Sequence, residues 1–276
     1  MIELFRNEAY ILEYASMFGM RKKSYKQEKL RQMGTKKVFN KIFYALARKL
    51  IGSITHVSTA EPLVALTFDD GPHPEFTPHI LDILEQNKAL ATFFILGKNA
   101  RRHQGLVKQV WQAGHAIGNH SWDHPSFDLI PRSQRRSQIY ACEKVIAPYG
   151  EKLFRPPYGN QTIHSSLDAF LLGYKIVTWS VVAQDWLDHD ANWMVDYLMP
   201  QIKPGSIILF HDNLNDFLEK RYLDRKETIK AVDLMLKELH KDFRFVTVPE
   251  LLLRGRPQRK LWKIDAEVNF LNQLKS

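Results

Sequence analysis

Apolar residues follow two different rhythms along this 276-residue chain. Over residues 36–51, Val38, Phe39, Ile42, Phe43, Leu46 and Leu50 recur at helical spacing among Lys36, Lys37, Lys41, Arg48 and Lys49. That spacing predicts a basic amphipathic helix. From residue 61 onward, short apolar runs alternate with helical segments. The runs at 63–68, 92–95, 116–118, 152–154, 175–179, 206–210 and 243–248 predict strands. Segments near 76–87, 105–113, 132–147, 164–172, 190–199 and 226–241 predict helices. Strands alternating with helices build βαβ units and a parallel sheet. Pro249 and the basic stretch 254–263 end the pattern. Residues 1–60 therefore read as a basic, helical N-terminal extension, 61–253 as the folded body and 254–276 as a basic C-terminal tail. Seven strands in so short a body predict a small, irregular barrel, below the roughly 250 residues of an eight-unit one.

Polar clusters sit at the C-terminal ends of these runs. The run 63–68 leads into Asp69-Asp70-Gly71, 116–118 into Asn119-His120, and Phe154 into Arg155-Pro156-Pro157-Tyr158-Gly159. The run 175–179 leads towards Gln184-Asp185-Trp186, and 206–210 into His211-Asp212. Functional groups of parallel α/β folds gather at the carboxyl ends of strands. Five such ends bearing acids, histidines and an arginine predict one convergent site.

Charge changes the picture only at the N-terminus. Residues 1–50 hold twelve Lys/Arg against four Asp/Glu, leaving 27 basic against 26 acidic side chains in the other 226. The net charge of +9 is thus no sign that the body binds nucleic acid, and none is expected. Phe39, Phe43 and Tyr44 follow helical order rather than an interleaved stacking order. Asp and Glu are absent from 29–60, so the amphipathic helix suits either an anionic membrane surface or docking on the body. The segment 9–20 is only moderately apolar, contains Glu13 and precedes the positive cluster. A secretion signal has the opposite order, so the expected location is cytoplasmic, with peripheral contact at the inner face of the membrane through 36–51 as the alternative to docking of that helix on the body. The single cysteine, Cys142, excludes an internal disulfide and a multi-cysteine zinc cluster. No apolar run is long enough for a conventional transmembrane helix.

Read one at a time, the site residues leave alternatives open. Asp69 and Asp70 are either a plain Asp-Gly-Pro turn or two carboxylates that a twist at Gly71-Pro72 brings to one site. His120 and His124, four apart, are either surface residues or, on a helical turn, two imidazoles on one face awaiting a distant carboxylate and a divalent metal. Arg155 to Gly159 is either a surface turn or a rigid mount for a guanidinium and the Tyr158 amide. His211 is either packed in the core or a proton donor near neutrality.

Taken together, Thr67-Phe68-Asp69-Asp70-Gly71-Pro72, His120-Ser121-x-x-His124, Arg155-Pro156-Pro157-Tyr158-Gly159, Asp185-Trp186 and Leu209-Phe210-His211-Asp212 closely resemble the polysaccharide deacetylases (NodB-homology domain, carbohydrate esterase family four), over about residues 61–250. The resemblance implies an α/β fold, a distorted (β/α)7-type barrel behind the N-terminal helical extension. It also implies hydrolase activity that removes N-acetyl groups from an N-acetylhexosamine-containing glycan or glycolipid. Asp70, His120 and His124 would then be the metal ligands for one divalent ion, zinc in the first place, with cobalt, nickel, manganese and iron as alternatives. Asp69 would be the general base, Arg155 its orienting group, His211 the general acid and Asp185 the group that tunes it. Tyr158 would supply the backbone oxyanion donor, and Trp186 and Leu209 the walls of the acetyl pocket. One position departs from the pattern: many members carry an acid or polar group three residues before the motif's Asp, and here it is Val182. An O-acetyl sugar esterase is an alternative activity. A non-catalytic carbohydrate-binding protein on the same barrel would be expected to have lost one of these groups, and none is missing.

Overall fold

A computed structural model describes residues 48–215 and 223–261. Of the expected amphipathic helix only residues 48–51 fall within these bounds, and they are helical. The remainder of 36–51 and the tail beyond 261 lie outside the described residues.

In chain order the strands are β1 (Ser53–Ser58), β2 (Leu63–Asp69), β3 (Ala91–Ile95), β4 (Ala116–Asn119), β5 (Gly150–Phe154), β6 (Lys175–Ile176), β7 (Val181–Val182), β8 (Ile207–His211), β9 (Arg244–Phe245) and β10 (Arg256–Lys260). The helices are α1 (Phe76–Gln86), α2 (Gly97–Arg102), α3 (Gln104–Gln112), α4 (Arg132–Ile146), α5 (Ile163–Leu171), α6 (Ala191–Leu198), α7 (Lys226–Leu239) and α8 (Val248–Leu253). The main sheet runs β6-β5-β4-β3-β2-β8-β7, all parallel, with β9 pairing beside the start of β2. Its two outer strands, β6 and β7, are consecutive in the chain. The link between them bonds to both sides: Val177 N–H donates to Phe154 C=O at 2.9 Å and Ser180 N–H to Ile207 C=O at 3.0 Å. The sheet thereby curls into the expected distorted (β/α)7 barrel.

Side-chain alternation along the strands sorts the core into an outer and an inner layer. Val64, Leu66 and Phe68 of β2 face outward with Phe93, Ile95, Ile117, Ile208 and Phe210, and are covered by Ile80 and Leu84 of α1, Val107 and Val110 of α3, and Met235 and Leu236 of α7. The helices reach them with residues spaced by three and four, as Thr228, Ala231, Val232, Met235, Leu236 and Leu239 show in α7. Leu63 and Ala65 point inward with Phe94, Leu153, Val177 and Ile207. Every residue of β2 is therefore buried, which is why it reads as an unbroken apolar run. The inward row then continues with Thr67 and Asp69, so the barrel's apolar floor turns polar at its carboxyl-end mouth.

Several elements differ from their expected bounds. The 175–179 run splits into β6 and the linking segment, and β7 lies beyond it. The 243–248 run yields only β9, because Thr247 caps α8, its hydroxyl accepting from Glu250 N–H at 3.3 Å, and Pro249 stands in the helix's first turn. β1 and β10 fall outside the 61–253 body and pair with each other, antiparallel. β1 buries Ile54 and Val57 in the inner core. Arg-Pro-Gln-Arg-Lys becomes a strand only because that partner is present, and its Pro257 is tolerated in a two-stranded ribbon.

β1 is locked to the body at Gly205. Val57 N–H donates to Gly205 C=O at 2.9 Å, and Gly205 N–H to Leu63 C=O at 2.6 Å. Gly205 has φ +83°, and a Cβ there would lie 1.6 Å from the Val57 carbonyl oxygen. Both the left-handed backbone and the clash penalise any side chain. Gly205→Ala is expected to lower unfolding free energy by about 2 kcal/mol or more, measured by urea denaturation; a loss under about 0.5 kcal/mol would contradict this reading.

Candidate active site

Strand register assembles the mouth of the barrel in one layer. Asp69 pairs with His211 across β2 and β8 and with Phe94 across β2 and β3, while Asn119 pairs with Ile95 and with Phe154. The residues that follow Asn119 and Phe154, His120 and Arg155, thus emerge at the same height. Asp69 points inward by alternation. Its neighbour would point outward, but Asp70 takes φ +73° and turns its carboxylate to the same side. The twist lies in Asp70 itself, one residue before the Gly71-Pro72 pair to which the sequence pattern assigns it. Asn99 Nδ2 donates to Asp70 C=O at 2.7 Å, and Asn215 N–H to Asp70 Oδ2 at 3.3 Å.

His120 and His124 meet, but not on a helix. Residues 120–124 form a loop with Ser121 at φ +74° and His124 at φ +71°. Short polar bonds shape it: Ser121 N–H donates to Asn119 Oδ1 at 2.9 Å, and His124 N–H to Ser121 Oγ at 3.1 Å. The side chain of Gln138 in α4 accepts from Trp122 N–H and Asp123 N–H. The i,i+4 spacing therefore suits a tight loop as well as a helical turn, and local hydrogen bonding selects the loop. The two rings end 5.1 Å apart.

Arg155 is fully buried and holds two functional groups. Its Nη1 donates to Asp69 Oδ1 at 2.7 Å and Thr67 Oγ1 at 2.8 Å, and its Nη2 to Thr178 C=O at 2.9 Å. Its guanidinium lies 4.0 Å from the Phe94 ring centre. Its carbonyl accepts from His120 Nδ1 at 2.7 Å. A carbonyl only accepts, so His120 carries its proton on Nδ1 and directs the lone pair of Nε2 at the site. The Pro156-Pro157 turn places Tyr158 at φ +57°, its ring edge-on to His124 with centroids 4.4 Å apart.

Across the mouth, Asp185 grips His211 twice: Oδ1 accepts from the ring Nδ1 and Oδ2 from the backbone N–H, each at 2.8 Å. Asp185 is in turn held by Arg225, whose Nη1 donates to its carbonyl at 2.7 Å, and approached by Thr228 Oγ1 at 3.5 Å. Trp186 stands edge-on to His211, centroids 5.6 Å apart. Leu209, on the inward face of β8 two residues before His211, pairs with Val182. Every site residue expected from the sequence is thus at this one mouth. Thr67 and Asn119 stand inside the quoted motifs without an assigned role, and Asn99, Arg225 and Thr228 escape sequence reasoning, because each matters through what it touches.

Three acceptors converge on one point. Asp70 Oδ1 is buried and makes no hydrogen bond among the described residues. It lies 3.4 Å from His120 Nε2 and 3.3 Å from His124 Nε2, and ligand atoms from all three residues fall within 4.8 Å of one another. Buried groups aimed at one point in this way could hold a shared cation, and two imidazoles with one carboxylate form the donor set of a three-ligand catalytic zinc site. The residues present fit a divalent ion. Burial opposes ionisation of Asp70, but its neighbours His124, His120 and His211 outweigh it and hold the carboxyl well below the usual range. Burial likewise opposes the charge on His211, yet the Asp185 carboxylate, by charge and hydrogen bond, with Asp70 and Asp69 behind it, pushes the ring up to about 9.

A parallel barrel whose mouth joins a His-His-Asp cation site to a guanidinium-held carboxylate and a carboxylate-held imidazole defines a hydrolytic enzyme. Known proteins agree. Residues 56–177 match the family model described as polysaccharide deacetylase. A peptidoglycan-N-acetylglucosamine deacetylase of Bacillus cereus is 36% identical over 200 residues, 71% of this chain and 70% of that protein. A chitooligosaccharide deacetylase of Sinorhizobium fredii is 32% identical over 197 residues, 68% of this chain and 90% of that protein. The crystal structure of a peptidoglycan N-acetylglucosamine deacetylase superposes with a TM-score of 0.67 at 34% identity, covering 74% of this chain and 94% of the other. The chain belongs to the polysaccharide deacetylase family and is a carbohydrate deacetylase, a hydrolase of carbon–nitrogen bonds.

Because the folded His211 value lies above the 6.5 of a free histidine, its charge stabilises the fold fully below about 6.5, and that contribution is lost as pH rises through about 9. In metal-free protein, an NMR titration of His211 is expected near 9, falling towards about 6.5 or below in Asp185→Asn. A wild-type midpoint at or below about 6.5, or no change in the variant, would refute the pairing.

Proposed function

We propose that the chain removes the N-acetyl group of an N-acetylhexosamine unit, N-acetylglucosamine in the first place, in a glycan or glycolipid, releasing acetate and leaving a free amine. The observation that carries this reading is the orphaned Asp70 Oδ1 facing two imidazole nitrogens at 3.4 and 3.3 Å, flanked by the Arg155-bonded carboxyl of Asp69 and the Asp185-bonded ring of His211. The relatives' names, peptidoglycan-N-acetylglucosamine deacetylase and chitooligosaccharide deacetylase, support the sugar.

Asp70, His120 and His124 would hold one divalent ion, zinc by donor type. When bound, it supplies Lewis-acid polarisation of the acyl carbonyl and acidification of the attacking water. Asp69 takes the water's proton. Its Oδ1 is occupied by Arg155, which leaves Oδ2, 3.8 Å from His120 Nε2, as the basic oxygen facing the site. Charge developing on the acyl oxygen is assigned to the backbone N–H of Tyr158, beside His124. His211, oriented through Nδ1 by Asp185, delivers the proton on Nε2 to the departing nitrogen. Trp186 and Leu209 line the pocket for the acetyl methyl.

Acetate release from chitooligosaccharides and peptidoglycan fragments, with chelation and zinc add-back, tests this reading. Activity is expected on one or both, abolished by chelation and restored by zinc. Asp69→Asn is expected to keep zinc while losing about 10²–10⁴-fold in kcat, whereas His120→Ala loses zinc first. Turnover that survives complete metal removal would sink the reading, as would near-wild-type activity in Asp69→Asn.

A further inference from the structure

The mechanism leaves one buried carboxyl group at the site unused. Asp212, at the end of β8, is 1% exposed. Its Oδ2 accepts from Thr77 Oγ1 in α1 at 2.5 Å, and the same Thr77 oxygen accepts from His73 N–H at 2.7 Å. Its backbone N–H donates to Asp69 C=O at 3.3 Å. Between these two anchors its carboxyl group lies flat against Gly71. A Cβ on Gly71 would fall 2.1 Å from Asp212 Oδ2 and 2.4 Å from Oδ1. Asp212 Oδ1 has no hydrogen-bond partner among the described residues, so contact with the turn, rather than full satisfaction of its own lone pairs, fixes where it sits.

The turn so gripped runs from Asp69 to His73 and contains Asp70 in its left-handed conformation. An aspartate in that region is strained unless the surroundings hold it there. Asn99, Asn213 and Asn215 bond to Asp70 itself; Asp212 meets the turn at Gly71 and Thr77 at His73. We propose that Asp212, backed by Thr77, is a positioning residue that braces the 69–73 turn and thereby sets the affinity of the Asp70-His120-His124 site for its divalent ion. The inference rests on the metal reading above. Gly71 belongs to the same device: the space a side chain would need is filled by the brace.

The test is zinc affinity of the full chain, by competition with a chromogenic chelator, alongside the melting temperature of the zinc-free protein. Asp212→Ala is expected to weaken zinc binding about 10- to 100-fold. Asp212→Asn, which keeps the shape and an acceptor for Thr77, is expected to stay within about threefold of wild type. Gly71→Ala is expected to weaken zinc as Asp212→Ala does, and to add little more in the Asp212→Ala background, where the colliding carboxyl is gone. Wild-type zinc affinity in Asp212→Ala, with or without a lowered melting temperature, overturns the inference, as does full additivity of the two substitutions. Failure of the wild-type chain itself to bind zinc would instead overturn the metal reading on which the inference rests.

Discussion

Two adjacent carboxylates are buried at the end of the central strand, and the site is organised by the need to neutralise each of them differently. A buried charge left unpaired costs several kcal/mol, on the order of 3–5 when a partner is removed. Asp69 is answered by Arg155, itself inside the barrel with its donors taken up by Asp69, Thr67 and the carbonyl of Thr178. Asp70 is answered by two imidazoles, with which it could hold a metal ion. The two solutions are joined, because the carbonyl of Arg155 fixes the His120 ring. Displacing Arg155 would therefore disturb Asp69 and the Asp70-His120-His124 cluster together.

The same logic separates Asp69, the proposed base, from His211, the proposed acid, across the mouth. Asp69 is bonded by a guanidinium, and a carboxylate bonded to His211 favours the charged imidazole. Neither environment is a property of the residue type: Asp185 does its work because Arg225 and the approach of Thr228 hold it in place. A carboxylate-held imidazole facing a guanidinium-bonded carboxyl group is an arrangement that acid–base hydrolysis can use. Barrel register supplies the spacing, since Asp69 and His211 are direct partners between β2 and β8.

The barrel strands other than the two-residue β7 were legible because parallel strands buried on both faces read as apolar runs, as in β2. The site was legible because its residues stand directly at the ends of those runs. What escaped prediction depends on tertiary context. β10 is a basic, proline-containing segment that becomes a strand only against β1. The polar helix α2 has no apolar stripe to announce it. His120 and His124 carry helical spacing yet sit on a loop, because Asn119 and Ser121 offer the backbone local partners that compete with a helix. Thr77 and Asp212 are 135 positions apart, a contact that no local pattern encodes.

The central claim is that loops far apart in sequence meet to hold one divalent ion between a carboxylate and two imidazoles. X-ray absorption of the zinc-loaded full chain tests it most directly. Expected is one zinc per chain with two imidazole nitrogens at about 2.0 Å and oxygen completing the shell. A spectrum without imidazole scattering, or with sulfur in the shell, would contradict it.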